Sequence, residues 1–481
     1  MDFIAQDIAA QIMMMETRAL RTMTARGFDR RLAEAASLAE PGARGAVVAT
    51  QGPRAVIGGL PVAVGDVVTV GGTGGAGTGT GPGRAGVEAE VVAVHRTEAT
   101  VMPLADGWAP AAGTPVTLAH RGGEVPVGDG LIGRVIDALG RPIDGKGPIT
   151  GTRLVPAHHA APHALDRAPV TEQLGTGVRA VDTFTALGRG QRIGLFADSG
   201  VGTSSLLSMI ARGTDAEVSV IALVGECGRD VRGFLEDDLG PEGLARSVVV
   251  VATGDEPAMM RRKAAFTAAR IAEQFRDEGR HAVLMVDSLT RVAMAQREIG
   301  LSAGEPPVTL DYPLSAFSLL AQLIERAGVD RAGSVTGIYT VLMDGDDRED
   351  PVAYAARAIL DGQLVLERRL AAAGHVPPID VLASFLRCAW VVTDPVDTAA
   401  ITAVRRAMAE QREVQDLIDD GAYVPGTCPR ADAALAARPH LDAFLCQDVD
   451  DSTAPTETWS RLRGLARLLA AEDADAEGKA A

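Results

Sequence analysis

The chain has 481 residues, 47% of them hydrophobic and 23% charged, enough to bury cores in about three domains. Its 46 basic against 63 acidic residues leave a net charge of −17, which argues against nonspecific nucleic-acid binding by bulk charge. Cys227, Cys388, Cys428 and Cys446 form no CxxC pair and read as reduced thiols, no apolar run reaches membrane-spanning length, and the N-terminus lacks a signal-peptide pattern, so the chain is expected in the cytoplasm.

Residues 1–30 are expected to carry an amphipathic helix, because Ile4, Ile8, Ile12 and Met15 fall on one face. That stripe either docks a partner or packs on its own domain. Residues 31–122 read as a small β-barrel built from short runs such as GAVVAT, RAVIGG, DVVTV and VEAEVVAV. A glycine-rich insert at 71–86 interrupts it. Gly72, Gly74 and Gly77 match GxGxxG there, but no helix follows, so the insert reads as a flexible loop. Residues 123–390 alternate apolar strands (RIGLFA, VSVIALVG, SVVVVAT, HAVLMVD, GSVTGIYTVL) with helical stretches, the α/β pattern of a mostly parallel sheet. His158, His159 and His163 fall in a Pro/Ala linker without acidic or cysteine partners in sequence, so metal binding there is not expected. Residues 391–481 are expected to be a helical domain.

The chemistry concentrates in four places. First, an apolar strand runs into Asp198-Ser199-Gly200-Val201-Gly202-Thr203-Ser204-Ser205 and then a helix. Strand, glycine loop and helix start cradle phosphates through inward N–H groups and the helix dipole. The common pattern places Lys just before the Mg²⁺-binding Ser, to reach the β- and γ-phosphates; here Thr203 stands in that place. Second, the strand HAVLMVD ends in Asp287, a carboxylate suited to hold Mg²⁺ through water, facing Ser204. Third, Glu226 follows VSVIALVG and falls at the ligand edge of the sheet, where a carboxylate orients the water that attacks a γ-phosphate. Fourth, Arg387 in SFLRCAW becomes functional only if subunits form a ring. Arg261, Arg262 and Lys263 form a basic cluster that reads as a solvated helix start.

Several ordered motifs make the chain resemble the flagellar and type III secretion export ATPases, relatives of the catalytic subunits of rotary ATP synthases. They include PVGDGLIGRVIDALGRPIDGKGP, TGVRAVDTFTALGRGQRIGLFA, DSLTRVAMAQREIGLSAGEPP, YTVLMDGDDREDP and ARAILDGQLVLERRLAAAGH, spread from about residue 44 to about 450. The resemblance implies a small N-terminal barrel, a RecA-like P-loop core and a C-terminal helical domain, assembled as a homohexamer with ATP and Mg²⁺ between subunits. It further implies Glu226 as the catalytic carboxylate, Ser204 and Asp287 as the Mg²⁺ residues and Arg387 as a finger acting on the neighbouring subunit's nucleotide. Implied partners are a stator-like regulator on the N-terminal helix, a central coiled-coil stalk protein, the export gate and substrate–chaperone complexes, at the cytoplasmic face of the inner membrane. These motifs do not separate flagellar from injectisome use.

The chain departs from that family at the nucleotide. Where the family's loop resembles GSGVGKS, this chain has Asp198 and Thr203; where it has Glu-Arg, this chain has Glu226-Cys227; and Val376 replaces an aromatic that stacks on adenine. Two readings follow: an export ATPase with a weakened site, or a ring scaffold in the same apparatus that hydrolyses little or no ATP.

Overall fold

The computed structural model describes residues 44–71, 86–343, 350–387 and 389–480, with side chains to residue 471. The helix expected over 1–30, most of the glycine-rich insert and Cys388 lie outside the described residues.

Six antiparallel strands, Arg44–Gln51, Arg54–Gly58, Val67–Val70, Val87–His95, Glu98–Pro103 and Pro115–His120, close into a barrel in the order first, second, fifth, fourth, third, sixth. Closure comes from the first and last strands, where Arg44 faces Thr117 and Gly45 faces Val116. Alternation sets the inside: Ala55 and Ile57, Val68 and Val70, Ala89 and Val91 all point into one apolar cluster.

The central sheet runs Phe385–Leu386, Gly362–Val365, Arg192–Asp198, Ser334–Met343, His281–Asp287, Val218–Val224, Ser247–Ala252, Arg134–Asp137. All these pairings are parallel except that of Phe385–Leu386. Parallel strands covered on both faces should be apolar throughout, and every residue of Val218–Val224 is buried. The period of two divides them: Val218, Val220, Ala222 and Val224 pack beneath the helix Ala258–Asp277, while Ile221 and Leu223 face the opposite cluster.

That second cluster reaches from Leu206, Leu207 and Ile210 of the helix Thr203–Gly213 to Val404, Leu441, Phe444, Leu462 and Leu465 of the C-terminal helices Pro395–Asp419, Pro429–Leu445 and Pro455–Ala480. The loop-bearing helix and the C-terminal domain therefore share one core. Arg179 fixes the joint from within it: its guanidinium donates to the Phe444, Cys446 and Thr453 oxygens and lies 3.1 Å from the Asp451 carboxylate. Phe184 meets Phe444 edge to face with centroids 6.3 Å apart.

The basic cluster opens the helix Ala258–Asp277 as expected, but it is not solvated. Arg262 lies 2.8 Å from the buried Glu90 of the barrel, Lys263 bonds the other Glu90 oxygen, and Arg261 lies 2.7 Å from Glu298. The partners come from distant sequence, so the cluster fastens barrel to core. A similar correction applies to the linker histidines: His159 Nδ1 lies 3.1 Å from the buried Glu273. Among the described residues no three His, Cys, Asp or Glu side chains converge as a metal site.

His281 opens the strand that ends in Asp287. It is buried against Ser334, and desolvation with the Arg189 charge holds its pKa down to about 4. In the unfolded chain a histidine titrates near 6.5. As pH falls from there, the unfolded state takes up this proton first, so stability drops until the folded pKa is reached, by about 3 kcal/mol in total. Asp182 runs the opposite way over the same window, because burial raises its carboxyl to about 7. The readout is therefore a difference: His281→Gln should lose less thermal stability than the parent between pH 7 and pH 4.5. Equal losses would show that His281 does not carry the effect.

Candidate functional site

The site begins where Arg192–Asp198 hands over to the helix Thr203–Gly213. Gly200 has φ 78° and Gly202 φ 104°, values that favour glycine, and together they fold the chain back over the strand end. A Cβ on Gly200 would meet no atom within 4 Å, so only the backbone demands glycine there. Val201 between them is buried and anchors the loop. Gly202 caps the helix without a side-chain hydrogen bond, so no capping side chain occupies the first-turn N–H groups. Ser199 and Gly200 are exposed, Ser204 and Ser205 half-buried and Thr203 buried. The loop's backbone has the open form that suits an anion.

Parallel strand ends bring the acids to it. Ser204 Oγ stands 3.5 Å from Asp287 Oδ2, and the Thr340 hydroxyl, from the neighbouring strand, donates to Asp287 Oδ1 at 2.6 Å. Asp287 is fully buried; desolvation raises its pKa against the opposing effects of the Thr340 and Ser204 hydrogen bonds and the Arg291 charge. Among the described residues no cation pairs with this buried carboxylate directly, and its Oδ2 has one long contact. Its all-oxygen surroundings suit a hard dication between Ser204 and Asp287, so the residues fit Mg²⁺.

Glu226 follows Val218–Val224 across Gly225 and is half-buried. Desolvation first, then the Asp287 charge, raises its pKa, and Arg291 opposes them. Arg291 is held in place by a 3.0 Å hydrogen bond to the Gly225 carbonyl. Ser204, Glu226 and Asp287 thus come together at one edge of the sheet. Cys227 beside them is an exposed free thiol.

Val376 lies in a loop that reaches the same place. Pro378, two residues on, would lie 3.9 Å from a Cβ on Gly202, and the Val376 carbonyl accepts from Gln447 N at 2.7 Å. Asp198 does not stand alone: Arg368 Nε lies 3.3 Å from its Oδ2, and Arg368 Nη2 donates to the Ser199 carbonyl at 3.2 Å.

Arg387 is not brought to this cluster. Its backbone N–H bonds the Asp361 carbonyl, while the Asp361 carboxylate accepts from Arg192 N, the first residue of the strand whose last is Asp198. Six residues of strand separate the two ends, roughly 20 Å at 3.3 Å per residue. Arg387 is exposed at that far end of the strand.

Sequence reasoning overlooked Thr340, Arg291 and Arg368. Arg291 follows Asp287 within one helical turn and was within reach of the motif. Thr340 and Arg368 are neighbours only through sheet order, which no local pattern displays.

Comparison with known proteins identifies the family and agrees with the fold. Residues 177–385 fit the profile of the ATP synthase alpha/beta family, nucleotide-binding domain, and residues 393–464 that of the T3SS EscN ATPase C-terminal domain. The chain is 46% identical to the flagellum-specific ATP synthase of Bacillus subtilis over 79% of its own length and 86% of the relative's. It is 42% identical to the type 3 secretion system ATPase of Xanthomonas euvesicatoria, over 94% and 98%. The assembled ATPase EscN of the enteropathogenic E. coli type III secretion system superposes with a TM-score of 0.79 at 36% identity, covering 88% of this chain and 100% of that one. EscN bound to its central stalk EscO gives a TM-score of 0.78 over the same shares. With the barrel, the phosphate-loop sheet and the C-terminal helices all in common, the chain belongs to the family of flagellar and type III secretion ATPases.

Proposed function

We propose that this chain is a ring-forming nucleotide-binding protein of a flagellar-type export apparatus, in which ATP binding and slow hydrolysis drive the engagement of export substrates and their release from chaperones. The convergence of Ser204, Glu226 and Asp287 beside an open phosphate loop carries the reading. The loop N–H groups from Ser199 to Ser205 take the phosphates, and Val376 lines the base with apolar contact in place of a stacking ring. Ser204 and Asp287 would hold Mg²⁺, which supplies charge neutralisation at the β- and γ-phosphate oxygens. Glu226 orients the attacking water and accepts its proton as the bond to the γ-phosphorus forms and the bond from that phosphorus to the bridging oxygen breaks, releasing ADP. Its raised pKa suits that task, because a stronger base binds the proton more readily. Arg387, remote from its own loop, serves a neighbouring subunit in a homohexamer. EscN assembles and binds the stalk EscO, which supports the same ring and a central stalk here. The expected location is the cytoplasmic face of the inner membrane, in contact with the export gate and with a stator-like regulator on residues 1–30. Among the described residues no helix is long and apolar enough to cross a membrane.

Thr203 favours a second reading, a ring scaffold with the same partners and little or no turnover, because a threonine stands at the loop position where the family has lysine. Both readings require a metal-assisted nucleotide site. With excess Mg²⁺, Asp287→Asn should bind a fluorescent ATP analogue about tenfold to a hundredfold more weakly than the parent. Chelating the metal should remove the difference. Equal affinities in Mg²⁺ would exclude the site as described.

A further inference from the structure

The missing lysine leaves open which cation meets the phosphates. Most of the candidate arginines and lysines are committed elsewhere. Arg262 and Lys263 are spent on Glu90, and Arg261 on Glu298. Arg291 is tied to the Gly225 carbonyl and faces the two catalytic-edge carboxylates. Arg368 differs from all of them. It touches the loop itself, at the Ser199 carbonyl and the Asp198 carboxylate, and its side chain is 65% exposed.

We propose that Arg368 is the phosphate-binding cation of this site, standing in for the lysine that Thr203 replaces, and that Asp198 holds it at the loop until a nucleotide arrives. This inference rests on the nucleotide-binding reading above. Two features of the loop, the acid and the missing lysine, then have one explanation. Asp198 no longer simply repels phosphate, because its charge is already answered by Arg368. An exposed ion pair is weak and is exchanged at small cost. A triphosphate offers the same guanidinium more negative charge and paired oxygens, which match its planar fork of donors. The pair therefore acts as a resting position, with the carboxylate occupying the guanidinium in the nucleotide's absence. The reach comes from a different segment: Arg368 lies 170 residues from Asp198 in sequence and opens the short helix Arg368–Ala372. A lysine in the loop sits directly at the helix start, whereas this cation arrives from the side and must exchange partners.

A double-mutant cycle tests it on the full-length chain, with a fluorescent ATP analogue and the matching AMP analogue as probes. Arg368→Ala should weaken ATP-analogue binding about tenfold or more and leave AMP-analogue binding unchanged, since the charge acts on the outer phosphates. Arg368→Lys should restore part of the loss, since it returns the charge without the planar fork. Beside Thr203→Lys, the Arg368→Ala penalty should shrink to a few-fold, because the two cations do one task. A merely structural strap on Ser199 would behave differently: ATP and AMP would weaken together, the melting midpoint would fall, and the penalty would persist beside Thr203→Lys. Either that pattern, or unchanged ATP binding in Arg368→Ala, overturns the inference while leaving the nucleotide site standing. If neither the parent nor Thr203→Lys binds nucleotide, the functional reading falls and this inference falls with it.

Discussion

Thr203→Lys is expected to raise Mg²⁺-dependent phosphate release by up to roughly 10²–10³, the usual worth of one preorganised group that stabilises transition-state charge, and by less to the extent that Arg368 already supplies that charge. The reason is local. The loop keeps its glycine geometry at Gly200 and Gly202, the helix start is uncapped, and the acids are in place. What the position lacks is charge, since a threonine hydroxyl donates one neutral hydrogen bond. A neutral bond contributes about 1 kcal/mol, and one to a charged group about 1.5–3 kcal/mol. Thr203 is itself buried, so the lysine stem must run along the loop and place its ammonium at the open mouth, as long cationic side chains do. Phosphate release by parent and variant, at matched protein concentration and saturating nucleotide, decides it. An unchanged rate, with the parent already turning over several times per second, would remove the scaffold reading and show that the site works without the lysine.

Glu226→Gln in that reactivated background should cost about 10²–10⁴ in turnover, the range for loss of a positioned general base. Nucleotide affinity should change little, because Glu226 lies at the strand edge beyond the loop and takes no part in the cradle. The substitution is nearly isosteric, and the residue is only half-buried, so the fold should hold. Removing its charge also relieves Asp287, whose carboxylate now raises the Glu226 pKa; metal-dependent binding should therefore tighten slightly if it moves at all. A variant that retains full turnover would transfer the base role away from Glu226.

Local sequence carried the fold far. Apolar runs of five to seven residues bounded by glycine or acid, such as those ending in Asp198, Val224 and Asp287, became parallel strands, because burial on both faces leaves no room for polar alternation. The barrel strands were legible for the complementary reason: one face is wet, so Ala55 and Ile57 alternate with exposed or half-exposed neighbours. Three of the site's side chains could be named because each ends a strand or opens a helix, where position in sequence fixes position in space. Thr340 and Arg368 could not. Their places depend on sheet order, with Ser334–Met343 inserted between the loop strand and the Asp287 strand. The Arg261–Lys263 cluster was misjudged for the same reason, since Glu90 lies 172 residues away from Arg262 and belongs to another domain.

That misjudged cluster has a practical corollary. Glu90 is almost wholly buried, and two cations close over it from the helix Ala258–Asp277, whose other side packs on the strands carrying Glu226 and Asp287. Cutting the polypeptide near residue 122 would strand both cations without their carboxylate and bare apolar surface around Val67, Met102 and Leu104, which belong to the core's own cluster. A truncated piece is therefore expected to report the damage of the cut along with the chemistry, which makes the intact polypeptide the better object for both.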